Sequence, residues 1–147
     1  MNKREIKFRA WDKIENIMHY QENGNEGVEF SFGGINCVKV YEYKPQLLDG
    51  VCIDAWDYEE LEDVEIMQFT GLKDKNGVEI YEGDIVEWYD SIPNIDWYGR
   101  VKGVIEYRQG GFFVEALKAS CEFSNYIWCL GEFRVIGNIY ENKDLLK

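Results

Sequence analysis

Met67 to Val86 read MQFTGLKDKNGVEIYEGDIV, and one dipeptide within them, Asn76-Gly77, constrains the fold more than any other feature of the chain. Asn-Gly between two alternating apolar runs is the strongest short-range signal of a β-hairpin, because both residues tolerate the positive φ that a tight turn requires. Ile66 to Thr70 and Val78 to Tyr81 are expected to pair across Asp74-Lys75-Asn76-Gly77. Glu82-Gly83-Asp84 then turns the chain into Ile85 to Tyr89, another alternating strand. The Gly, Asp and Asn that give this stretch the look of a binding loop serve turns, and Gly71 does the same at a strand end.

The same punctuation recurs along the chain. Ile6 to Trp11 and Ile17 to Tyr20 read as a hairpin across Asp12 to Asn16, and Gln21 to Gly27 as a loop. Val28 to Phe32 and Cys37 to Tyr43 read as strands, the second ending before Pro45. Asp57 to Glu62 is the only early segment with a helical look. Ser91 to Gly99 reads as a longer loop. Val101 to Tyr107 and Phe112 to Leu117 flank Arg108-Gln109-Gly110-Gly111, a third hairpin signal. Phe123 to Leu130 and Glu132 to Tyr140 complete the strands, and Asn142 stands where it would cap a last helical turn. Short strands joined by Gly-rich turns predict a closed or partly open barrel in the second half.

A chain of 147 residues is long enough to bury a core without staples, and 46% hydrophobic with 16% aromatic residues argues against disorder. The formal charge of -12 disfavours broad contact with phosphate backbones, while leaving room for a local basic face. Lys3, Arg4, Lys7, Arg9 and Lys13 make the start basic and predict a basic edge strand. Asp54, Asp57, Glu59, Glu60, Glu62, Asp63 and Glu65 form a run with no cation inside it, expected as a solvated turn or helix. No apolar leader precedes the cysteines and no apolar run approaches membrane-spanning length, so a reducing cytoplasm and no membrane contact are expected.

Little chemistry is legible. Cys37, Cys52, Cys121 and Cys129 form no C-x-x-C knuckle, and a single histidine, His19, supplies no zinc mixture. His19 falls in an apolar strand-like segment, where it fills space more often than it catalyses. Neither a phosphate loop nor a dinucleotide fingerprint is present. Carboxylate pairs such as Glu79 with Glu82 or Asp84 can be drawn, but among 28 acidic residues such a coincidence carries no weight. No catalytic residue, metal or cofactor is expected. Aromatic loops remain as candidates for binding: Trp97, Tyr98 and Arg100, with Phe112 and Phe113, would set rings and cations together at one end of a barrel. Rings in such places also cap a core or bury against a second subunit.

FRAWDK (Phe8 to Lys13) with Met18, TGLKDKNGVEIYEGDIV (Thr70 to Val86) and VIGNIYENKDLL (Val135 to Leu146) together resemble the YopX family of phage and prophage proteins. The resemblance implies a mainly β, multi-sheet fold with a large β-barrel over residues 65–147 and an N-terminal α+β subdomain over residues 1–64. It implies a phage or prophage origin and no reaction, and it carries over no site residue. The expected function is that of a non-enzymatic accessory protein that binds a host or phage protein and self-associates. A single-stranded nucleic-acid binder using Trp97, Tyr98, Arg100, Lys102, Arg108, Phe112 and Phe113 is the alternative.

Overall fold

A computed structural model describes residues 5–21, 28–32, 38–92, 97–117, 124–126 and 133–147; the side chains of 43–45, 52–58, 90–92, 97–98 and 124–126 are outside the description. Two compact units emerge, one of Lys7–Met67 and one of Gln68–Lys147 with Glu5 and Ile6. Both are built from strands.

In the N-terminal unit, β1 (Phe8–Asp12) pairs antiparallel with β2 (Ile17–Tyr20), as the alternation predicts. Asp12 closes their turn, its Oδ1 accepting from the amides of Ile14 (2.7 Å) and Glu15 (2.9 Å). A second sheet runs β3-β4-β5, with β3 at Val28–Phe32, β4 at Val38–Leu48 and β5 at Val51–Glu60. Ala10, Val28, Phe30 and Val40 form the buried core, with Phe8, Leu61, Val64 and Ile66 packed around it.

Three expectations are corrected here. The helix over Asp57 to Glu62 does not form: Tyr58, Glu59 and Glu60 pair with Tyr43, Glu42 and Tyr41, because a partner strand outweighs the helical bias of Glu and Leu. The N-terminal part is therefore all β among its described residues, not α+β. Strand β4 runs through Pro45 instead of stopping before it, with a register shift between Pro45 and Leu47 that absorbs the missing amide donor. The basic strand β1 is not an edge, since it lies between β2 and β6 (Val64–Lys73).

The chain leaves the N-terminal unit along β6. In the C-terminal unit the far half of β6 pairs with β7 (Glu79–Tyr81), Phe69 opposite Tyr81 and Lys73 opposite Glu79. The remaining strands make an antiparallel sheet in the order β11-β10-β9-β8-β12. They are β8 (Asp84–Ile92), β9 (Trp97–Arg108), β10 (Gly111–Ala116), β11 (Ser124–Tyr126) and β12 (Arg134–Asn138). The expected large barrel is thus open: among the described residues β11 and β12 end the sheet on opposite edges and do not pair with each other. Trp97 to Gly99, expected in a loop, start β9. A 3-10 turn over Lys143–Leu146 closes the chain, but Asn142 does not cap it; its Oδ1 accepts instead from the Asn138 amide (3.0 Å).

Residues facing one another across neighbouring strands share a face of the sheet. One face carries Val86, Trp88, Ile105, Phe112 and Val114, which with Ile80 and Phe133 form the core of this unit. The other carries Glu87, Tyr89, Arg100, Lys102 and Arg134.

Candidate functional site

The carboxylates in the turn-rich text are committed to architecture. Asp74 heads the β6–β7 turn: its Oδ1 accepts from the amides of Asn76 (2.7 Å) and Val78 (2.9 Å), and its Oδ2 from the Val135 amide (3.1 Å). Burial by itself would raise the Asp74 carboxyl, but these amides outweigh it and hold the pKa below its ordinary value. Asp84 is fully buried and its Oδ2 accepts from the Tyr81 amide (2.7 Å). Glu79 accepts from the Tyr81 hydroxyl at 3.0 Å. Glu82 is the exception in sign: burial, with help from the nearby charge of Glu106, lifts its pKa despite amide bonds from Gln68 and Tyr107.

The two C-terminal sequence blocks interlock through these groups. The Lys75 amide donates to the Phe133 carbonyl, Val135 to Asp74, and Ile139 to the Gly83 carbonyl. Asn138, buried, pairs with Asp84 across β12 and β8, and its Oδ1 holds the amides of Tyr140 and Glu141. Gly137 must be glycine, because a Cβ there would collide with the Asn142 side chain.

The aromatic candidates are dispersed. Phe112 and Phe113 retain 6% and 7% of their exposure, so neither ring offers a face to solvent. Phe112 joins the core and meets Tyr107 edge-on at 5.2 Å; Phe113 lies under the Arg108 guanidinium at 4.9 Å, and Arg108 also pairs with Glu115 at 3.1 Å. Trp97 and Tyr98 stand in β9 opposite Ile92 and Ser91, their side chains outside the description. Among the three candidates whose side chains are described, Arg100 reaches an exposed cluster. Its Nε donates to the Tyr89 hydroxyl (3.0 Å), its Nη1 reaches Glu87 (3.5 Å), and its guanidinium sits 5.5 Å from the Tyr89 ring centre. The Tyr89 hydroxyl first, and Glu87 after it, push the Arg100 pKa up. Arg134 reaches the same carboxylate from β12 at 2.9 Å. Sequence reasoning missed Arg134 and Glu87, since residues so far apart in the chain give no shared pattern.

The acidic run is less bare than its sequence. Lys13 bridges Asp63 (2.9 Å) and Glu65 (2.7 Å), whose carboxylates raise the pKa of its ammonium, and Lys39 pairs with Glu60 (2.7 Å). His19 is half-buried, and its Nε2 has no hydrogen-bond partner among the described residues. Of the cysteines, Cys37, Cys121 and Cys129 lie outside the described residues. Among the described residues no helix is long and apolar enough to cross a membrane.

A different surface stands out at the tip of the β4–β5 hairpin. Asp49 and Gly50 both take positive φ (53° and 79°), the signature of a tight two-residue turn. Around it Leu47, Leu48 and Val51 are 66%, 63% and 66% exposed. Leu48 pairs with Val51 and Leu47 with Cys52, so aliphatic side chains emerge on both faces of the ribbon.

Comparison with known proteins places this arrangement. The family model described as YopX protein matches residues 7–147. The crystal structure of protein EF1440 from Enterococcus faecalis is similar at 33% identity and a TM-score of 0.60, covering 99% of this chain and 100% of that one. The crystal structure of protein yopX from Bacillus subtilis matches in fold at 19% identity and a TM-score of 0.65, with both chains fully covered. No curated protein matches the chain.

Proposed function

The chain belongs to the YopX family, and on that premise we propose that it is a non-enzymatic accessory protein of a phage or prophage, working in the bacterial cytoplasm by binding proteins and assembling with copies of itself. The observation that supports this reading is the hairpin tip. A tight turn holding Leu47, Leu48 and Val51 in water is costly for a monomer and useful at an interface. Fully burying a Leu or Val contributes about 1.5–3 kcal/mol, so the two-thirds still exposed are worth about 1–2 kcal/mol per residue. The sum, about 3–6 kcal/mol, is comparable with the lower estimates of what association costs in lost freedom. The tip therefore acts as an anchor within a wider contact.

The carboxylates of the turn text support the same reading from the other side, because Asp74 and Asp84 are occupied by backbone amides. The test is a pull-down from host lysate with nuclease, comparing the wild type with Leu47→Asp/Leu48→Asp/Val51→Asp. One protein recovered in stoichiometric amount by the wild type and lost by the variant is the expected result. Equal recovery by both would remove the tip from the account.

A further inference from the structure

On a chain of net charge -12, one part of the sheet face shared by β8, β9 and β12 gathers Arg100, Lys102 and Arg134, while further along the same face Ile85 and Val104 are buried and Glu106 is exposed. Glu87 sits at its centre, its side chain only 12% exposed, and both Arg100 and Arg134 reach its carboxylate, with side chains 57% and 46% exposed. Lys102 lies directly across from Glu87 in the β8–β9 register, and no hydrogen bond or ion pair forms at its ammonium among the described residues. Two cations thus reach one carboxylate, and a third stands across from it on the neighbouring strand. Glu87 needs one of them for neutrality. Exposed ion pairs are worth at most about 1 kcal/mol, so stability does not explain the other two.

Beside the cations stands an aromatic ring. Tyr89 pairs with Arg100, is more than half exposed, has its hydroxyl fixed by the Arg100 Nε, and carries the Arg100 guanidinium over its ring at 5.5 Å from the centre. Arg100 and Lys102 alternate along β9, so their positions repeat at about 7 Å, and Arg134 extends the row across β8 to β12. An exposed ring with several cations on a rigid sheet matches what a single nucleic-acid strand requires: phosphates meet the cations and a base meets the ring. An acidic peptide would use the cations and leave the ring idle.

We propose that Arg100, Lys102, Arg134 and Tyr89 form a binding surface for single-stranded nucleic acid on the outer face of this sheet. The surface is separate from the apolar hairpin tip and does not depend on it. Phe112 and Phe113, which the sequence offered for this task, take no part because they are buried.

The experiment is fluorescence anisotropy with a labelled oligothymidylate of about a dozen nucleotides, repeated across a salt series. Three phosphate contacts on a single strand give a slope of about -2.1 in log K against log salt, so affinity falls about 18-fold between about 50 and about 200 mM salt. Lys102→Gln and Arg134→Gln should each reduce that slope by about 0.7, and Tyr89→Leu should weaken binding at least about fivefold. Thermal melting of each variant distinguishes loss of the surface from loss of the fold; Lys102→Gln breaks no bond and serves where another variant melts early. Absence of binding at about 50 mM salt overturns the proposal. So does a wild-type slope retained by Lys102→Gln, or displacement by polyglutamate as effective as by unlabelled oligothymidylate together with an unaffected Tyr89→Leu.

Discussion

Replacing Asp74 with Ala removes a carboxylate that holds three backbone amides, those of Asn76, Val78 and Val135. The first two lie in an exposed turn where water replaces the lost acceptor, so each should cost about 1 kcal/mol. The Val135 amide is half-buried and joins β12 to the β6–β7 turn; leaving it unsatisfied costs about 1–2 kcal/mol. The sum is about 3–4 kcal/mol, against a total stability on the order of 10 kcal/mol for a chain of this size. Asp74→Asn keeps one oxygen for the turn but sets an amide group against the Val135 N–H, and should cost about half as much. Urea denaturation at neutral pH measures both through the shift of midpoint at constant m. A loss below about 1 kcal/mol for Asp74→Ala would refute the argument that this residue locks the two sequence blocks together.

Other outcomes follow from the same structure. The Asp74 pKa is depressed in the folded state, so its contribution is present above the ordinary carboxyl value of 3.8 and lost as pH falls through the folded value. The stability gap between wild type and Asp74→Asn should therefore shrink in acid melts. Glu82 has the opposite sign, its pKa raised, so what favours folding there is present at low pH and lost as pH rises through the folded value; Glu82→Gln should melt no lower than wild type at neutral pH. Gly103→Ala places a Cβ 2.7 Å from the Glu115 carbonyl and from Val114 Cγ2, and should destabilise by about 2–3 kcal/mol in urea titration. Lys13→Ala breaks two exposed ion pairs and should change the midpoint by less than about 1 kcal/mol.

The hairpins were legible because their turns carry local chemistry. Gly77 and Gly110 take positive φ (85° and 82°) at the places where Asn-Gly and Gln-Gly-Gly marked a reversal. Asp57 to Glu62 misled because Tyr-Glu-Glu-Leu-Glu favours a helix locally, while its fate was decided by β4, whose residues 41–43 supply a ladder no local pattern announces. For a related reason the residues left open whether the barrel closes: strand count and spacing are written in the sequence, but closure depends on whether edge strands meet. For the candidate surfaces, Phe112 and Phe113 look identical to exposed loop aromatics in the sequence, and only the sheet buries them. Arg100 and Lys102 stood among the sequence candidates, but Glu87 and Arg134 did not, because the cluster is assembled from three strands; nothing in the text around Leu47, Leu48 and Val51 distinguishes an exposed tip from a core.

Sedimentation velocity at micromolar concentration tests the central claim most directly, with the wild type beside Leu47→Asp/Leu48→Asp/Val51→Asp. The account predicts an assembled wild type and a variant that sediments as a folded monomer, with the wild-type melting temperature falling toward that of the variant as the protein is diluted, since the three side chains are about two-thirds exposed in the single chain. A wild type that is monomeric throughout, or a variant that assembles equally well, would contradict it.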